Sequence, residues 1–321
     1  MSLDPINITI DFRYIISHND LVIALSPTVE AKPLQEVHFD INLNTYSSLL
    51  YSDYLLLIIS VVKRLRALNV VVKGNFVNFK KDSKLVKYAS RVNFFKLIGI
   101  EYKEDFDRHP TGEKFTEILE FNDKNSYKIY EDVMRILIKD EINEEMLKLL
   151  YYCIWEVIDN SLRHSNSDGS LSNGTGYISC QYFPKNKQIR LIIADTGQGI
   201  HKALTSHPNS KFQHLSQKEA VEKSIIRGVT NSTGRGFGLW ATSTLVKENG
   251  GILIIQSDNH QLKQESELEI IQTEKWQGTL TFLSINTNVP VDYNLLFDTD
   301  TQSDSYGEFK EKLFGNLDEL W

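Results

Sequence analysis

The spacing of apolar and polar positions changes period several times along the chain. Glu36–Leu43 (EVHFDINL) alternates, the signature of a strand with one buried face. Ser52–Leu68 has apolar residues at helical spacing, Asn69–Lys73 is a short β-branched run, and Asp82–Leu97 is helical again, with Gly99 as its C-cap. This alternation predicts a small α/β unit in the first third. Lys103–Gly112 (KEDFDRHPTG) is polar, contains Pro110 and Gly112, and reads as a linker. Phe115–Phe121 is a candidate strand of either neighbouring unit. From Ser126 to His164 the period is helical, with a break at Asp140–Asn143. Asn173–Tyr182 and Gln188–Ala194 read as strands joined by a turn at Pro184–Asn186. The stretch from Gly199 to Gly234 is longer than a plain connection and reads as a lid. Within it, a capping box at Ser216 and Glu219 and a C-cap at Gly228 predict a helix of about three turns. A further helix follows Leu239 and closes on Gly250, before strands at Ile252–Ser257, Leu268–Thr273 and Trp276–Asn286.

Length and composition narrow the class. A chain of 321 residues is too long for one small core and fits two domains. A net charge of -7 argues against a duplex nucleic-acid surface, which needs clustered lysines and arginines. The longest apolar run, Tyr54–Val62, falls short of the roughly 20 residues that span a bilayer. No basic-then-apolar segment follows Met1, so a cytoplasmic protein with no membrane contact is expected. The two cysteines, Cys153 and Cys180, are expected to be unpaired thiols. Residues 289–321 form an acidic tail with Asp292, Asp298, Asp300, Asp304, Glu308, Glu311, Asp318 and Glu319. Its Phe309, Leu313, Phe314, Leu317 and Trp321 fit one face of a short helix that would dock on the domain or on a partner.

Three segments carry candidate chemistry. In EVIDNSLRH, Glu156, Asn160 and His164 lie four apart on one helical stripe, and Met146, Leu150, Cys153 and Val157 recur at helical spacing as a core face. Asn160 offers an amide oxygen to a hard cation such as magnesium, and Glu156, one turn earlier, can orient or deprotonate a water. In DTGQG, Asp195 stands at a strand end before a glycine turn, where a carboxylate can accept the exocyclic amine of adenine while Gly197 and Gly199 let the base approach. In TGRGFGL, glycines two apart at a helix start expose backbone N–H groups to an anion such as a triphosphate. That segment is neither a P-loop nor a Rossmann fingerprint. His201, His207 and His214 match no common zinc spacing and are expected at the surface.

The order of these segments, E-x-x-x-N-x-x-R-H, D-x-G-x-G, lid, G-x-G-x-G-L and a late strand with Gly278-Thr279, resembles the GHKL superfamily over Ser126–Asn288. The fold implied is a Bergerat α/β sandwich: a mixed, mostly antiparallel sheet with helices on one face. The resemblance implies ATP and Mg2+ as cofactors. It implies that Asn160 holds magnesium, Asp195 binds adenine with Gly197 and Gly199 shaping the contact, and Thr279 supports the base through water. Gly234, Gly236 and Gly238 would cradle phosphates within the segment Thr233, Gly234, Arg235, Gly236, Gly238 and Leu239. Arg163 and His164 would touch phosphates, and Glu156 matches the general base of hydrolysing members. Glu36–Tyr102, with the stretch YASRVNFFKLIGIEY, resembles the small α/β STAS domains of anti-sigma-factor antagonists. Their acceptor serine would fall at Ser47 or Ser48, although the Gly-Leu that follows it there is absent.

The expected organisation is therefore residues 1–112 as a STAS-like regulatory or interaction domain, 113–288 as the ATP-binding domain, and the acidic tail. None of His18, His38 or His109 sits in a helical hairpin of the kind that carries a sensor kinase's acceptor histidine, so histidine autophosphorylation is not expected. About 33 residues follow Asn288, too few for the transducer segment of gyrase and MutL proteins. The leading expectation is a slow magnesium-dependent ATPase whose lid controls a protein partner. The alternatives are a serine or histidine protein kinase acting in trans and a non-hydrolysing ATP-gated module. The partner is reached through the N-terminal domain or the tail, and a homodimer is compatible with this.

Overall fold

The computed structural model describes residues 3–47, 49–108, 114–139, 142–165, 174–230 and 236–292. Ser48, Thr233, Gly234, Arg235 and residues 293–321, which hold most of the acidic tail, lie outside the described residues, as does His109 of the predicted linker.

The N-terminal unit contains β1 (Ile6–Asp11), α1 (His18–Leu25), β2 (Glu36–Asn42), α2 (Ser52–Ala67), β3 (Val71–Phe76), α3 (Lys84–Arg91) and α4 (Phe94–Leu97). Its three strands form a parallel sheet in the order β1-β2-β3. The single helix expected over Asp82–Leu97 is two, because Asn93 takes a left-handed conformation (φ 67°) and breaks the backbone ladder. The strand expected at Asn69–Lys73 starts later, since Asn69 is itself left-handed (φ 58°). The described part of the predicted linker is held to α3: Glu104 accepts from Ser90 Oγ at 2.5 Å and from Arg108 Nη2 at 2.6 Å.

The second unit continues with β4 (Leu119–Asn122), α5 (Ser126–Leu137), α6 (Glu144–Ser165), β5 (Thr175–Phe183), β6 (Gln188–Asp195), α7 (Gly199–Thr205), α8 (Gln217–Lys223), α9 (Gly238–Asn249), β7 (Ile252–Gln264) and β8 (Leu268–Asn286). Its five strands pair antiparallel throughout in the order β4-β5-β6-β8-β7. The expected strands at Leu268–Thr273 and Trp276–Asn286 are one continuous strand, paired along its length with β7. The lid helix is shorter than expected. The capping box at Ser216 and Glu219 is present, but the helix ends at Lys223, and Gly228 (φ 80°) serves a later turn.

Alternation along the strands explains how the units join. On β6, Ile189, Leu191 and Ile193 face α6 and α9, while Arg190, Ile192 and Ala194 face the N-terminal unit. On β8, Leu283 and Ile285 face the first side, and Trp276, Leu280 and Phe282 the second. The sheet's own helices thus occupy one face, and α2 covers the other. The residues Leu55–Ser60 of α2 are 0% exposed, as expected of a helix packed between two sheets.

A buried charge cluster pins this contact. Asp53, at the start of α2, pairs with Arg190 of β6 and lies 3.1 Å from His18 Nε2. Arg190 also stacks over Tyr51 at 4.3 Å and Phe282 at 4.7 Å. Burial raises the Asp53 carboxyl, but Arg190 and the His18 hydrogen bond outweigh it and bring the pKa down to about 2. A depressed carboxyl stabilises the fold above its unfolded value. That contribution is therefore lost as pH falls from about 4 toward 2. Removing Asp53 leaves Arg190 buried without its counter-charge. Asp53→Ala is expected to cost about 3–5 kcal/mol in urea unfolding, with Asp53→Leu combined with Arg190→Met recovering most of it. A cost below about 1 kcal/mol, the worth of a surface pair, would contradict this account of the interface.

Candidate functional site

The last three turns of α6 form one wall of the site. Asn143 Oδ1 caps the helix by accepting from Met146 N at 2.8 Å, and Glu144 and Glu145 suit its N-terminal dipole. Met146, Leu150, Cys153 and Val157 are buried, as their spacing predicts. The stripe bordering that core face is not a solvated one: Glu156, Asn160 and His164 are half-buried. Arg163 is exposed and pairs with Asp159 at 2.7 Å.

A second wall is the start of α9. A Cβ at Gly238 would lie 2.7 Å from Glu156 Oε2 and 2.8 Å from Glu156 Cβ, so only glycine lets the two helices meet here. Gly236 (φ 68°) presses on the lid backbone, where a Cβ would lie 2.4 Å from Val229 O. Gly228 N donates to Gly236 O at 2.9 Å, and Arg227 stacks over Phe237 and Trp240. The lid segment Arg227–Val229 is therefore docked on the described part of the glycine segment. Leu239 packs against the core, partly buried.

The floor is the turn after β6. Asp195 is 2% exposed, and its Oδ1 accepts from the backbone N–H groups of Gly197 at 2.9 Å and Thr279 at 3.2 Å. Thr279, on the neighbouring strand β8, thus meets Asp195 directly. A Cβ at Gly197 would lie 2.4 Å from His164 O, which seats the turn on the end of α6. Gly199 (φ 76°) opens α7, an element that the sequence reading merged into the lid. Here Ser257 Oγ accepts from Ile200 N at 2.8 Å and donates to Gly278 O at 3.1 Å. Gln277 Nε2 donates to Gly197 O. Gln198, Ser257 and Gln277 support the turn, yet no local sequence pattern marks them, because their partners lie 34 to 80 residues away. Of the three histidines expected at the surface, His201 is half-buried with Nε2 2.9 Å from Leu215 O, and His207 is half-buried too. Only His214 is exposed.

The local electrostatics match this enclosure. Burial, with a contribution from Asp159, pushes Glu156 up to about 7, against the pull of Arg163 and a Tyr152 hydrogen bond. Burial, helped by Arg163 and partly opposed by Asp159, pushes His164 below the usual imidazole value. Among the described residues no group of three or more His, Cys, Asp or Glu is placed to hold a metal ion, and no helix is long and apolar enough to cross a membrane.

Glu156, Asn160, His164, Asp195, Gly197, Gly199, Gly236, Gly238 and Thr279 are thus gathered where α6, the β6 turn and the start of α9 converge. A family model described as histidine kinase-, DNA gyrase B-, and HSP90-like ATPase matches residues 146–282. No curated protein matches the chain. The matched segment begins in α6, ends in β8 and contains all three walls of the site. Over residues 146–282 the chain therefore carries a domain of the GHKL type, which implies ATP binding.

Proposed function

We propose that the protein is a slow magnesium-dependent ATPase in which nucleotide, held between α6, the β6 turn and the start of α9, sets the position of the lid for a protein partner. The observation that carries hydrolysis is Glu156: a half-buried carboxylate against Gly238, with its pKa lifted to about 7, where a general base works best. In this reading Asp195, oriented by two backbone donors on Oδ1, accepts the adenine amine, with Gly197 and Gly199 giving the base room and Thr279 supporting it through water. Gly236 and Gly238, together with Gly234 and the flanking Thr233, Arg235 and Leu239, supply backbone N–H groups to the phosphates. Arg163 and His164 add contacts from the end of α6.

Asn160 would hold magnesium through its amide oxygen. The fit is chemical: a single hard oxygen donor beside an anion-binding helix start suits an ion that takes most of its ligands from water and phosphate. When bound, the metal neutralises phosphate charge. Glu156 would accept a proton from the water whose oxygen bonds to the γ-phosphorus as the β–γ phosphoanhydride breaks and ADP leaves, and the packed glycine walls exclude bulk solvent from it.

The lid is the partner-facing element. Its last described turn rests on Gly236 and the Phe237–Trp240 pair, so a change in the glycine segment reaches Arg227 and Ile226 at the surface. The N-terminal unit, which we read as STAS-like, is the second candidate contact for a cytoplasmic partner.

Glu156→Gln is expected to cut phosphate release by roughly 100-fold or more while leaving Mg-ATP affinity within a few-fold of wild type. In wild type the rate should rise with pH through about 7, because the base acts only when deprotonated. Release equal to wild type in the Gln variant, or a rate falling over that range, would contradict the assignment. Asp195→Asn should keep the fold, since an amide oxygen can still accept from Gly197 and Thr279. It should nevertheless weaken nucleotide binding by roughly 10- to 100-fold, because its NH2 then faces the adenine amine. Unchanged affinity by calorimetry would remove Asp195 from the adenine site.

A further inference from the structure

The residue between the two turn glycines, Gln198, reaches back to the end of α6. Its backbone N–H donates to His164 O at 3.2 Å, and its side-chain Nε2 lies 3.1 Å from His164 Nδ1. The backbone on both sides of the contact is tightly fixed. A Cβ at Gly197 would lie 2.5 Å from Ser165 Cα as well as against His164 O, so the turn cannot shift along the helix. Gly197 N is held by Asp195 and Gly197 O by Gln277. Gln198 is therefore a fixed arm, half-buried against a half-buried ring.

A carboxamide nitrogen only donates, so a ring nitrogen facing it must accept. A neutral imidazole has one N–H and one lone pair, and the partner of one nitrogen decides where the proton sits. Burial pushes His164 below the usual imidazole value, which favours the neutral ring. With Nδ1 accepting from Gln198, the proton belongs on Nε2.

We infer that Gln198 is a positioning residue that holds His164 in its Nε2–H tautomer, so that the end of α6 offers a ring N–H to the phosphates of the bound nucleotide. The inference rests on the nucleotide reading given above. It links the turn that carries the adenine contact to the helix that faces the phosphates through one side chain.

The test uses the full chain labelled with 15N-histidine, with His164 assigned by comparison with His164→Gln. Long-range 1H–15N correlation reads the tautomer directly. The expected result is Nε2–H in wild type, a protonated Nδ1 in Gln198→Glu, as the Nδ1–H tautomer or the imidazolium, because its carboxylate can only accept, and a mixture in Gln198→Ala. Calorimetry on Gln198→Ala should show ATP binding weakened about five- to ten-fold more than adenosine binding, the effect of one compromised hydrogen bond to a charged group. A wild-type Nδ1–H form, or a tautomer unmoved in both variants, overturns the inference. So does unchanged ATP affinity in Gln198→Ala, because His164 would then not act on phosphates. A wild-type protein that binds neither ATP nor adenosine overturns the nucleotide reading itself and the phosphate half of the inference with it, whatever the tautomer.

Discussion

Two backbones approach α6 more closely than any side chain would permit. Gly238 meets the flank of Glu156, and Gly197 meets the carbonyl of His164, each at a separation where a Cβ would overlap its neighbour. These contacts force the start of α9 and the turn after β6 onto neighbouring turns of one helix. Their consequence is enclosure: Glu156, Asn160 and His164, which would be solvated on an isolated helix, become half-buried, and the shift of Glu156 follows from that burial. The chemistry proposed for the site is a product of packing as much as of residue type.

The sheet that carries the site is buried on both faces. Strand β6 holds Arg190 in the charge cluster with Asp53 and His18, and five residues later ends in Asp195. Strand β8 likewise holds Phe282 against His18 and Thr279 against Asp195. The N-terminal unit is thus the second layer of the nucleotide-binding sheet and shares its strands with the site. A partner that moved this unit would act on the site through rigid strands.

Much of this was legible in the sequence, and the failures have local causes. Long periodic segments such as Glu144–Ser165 and Gly238–Gly250 were readable because their apolar faces are regular and their ends are capped. The described motif residues lie together where α6, the turn after β6 and the start of α9 meet. The split at Asn93 was not readable, because a left-handed asparagine looks like an ordinary polar residue inside a helical period. The early end of α8 was missed because Gly228 imitates a cap while serving the contact with Gly236. The burial of α2 between two sheets, and the support given by Gln198, Ser257 and Gln277, depend on distant partners that no window of sequence contains.

The central claim is that a magnesium-bound triphosphate lies between Asn160 of α6 and the glycine-opened start of α9. Calorimetric titration of ATP with and without magnesium, into wild type and Asn160→Ala, tests it most directly. The account predicts that magnesium strengthens binding in wild type and no longer does so in Asn160→Ala, while metal-free binding stays similar in both. An equal gain from magnesium in the two proteins would contradict it.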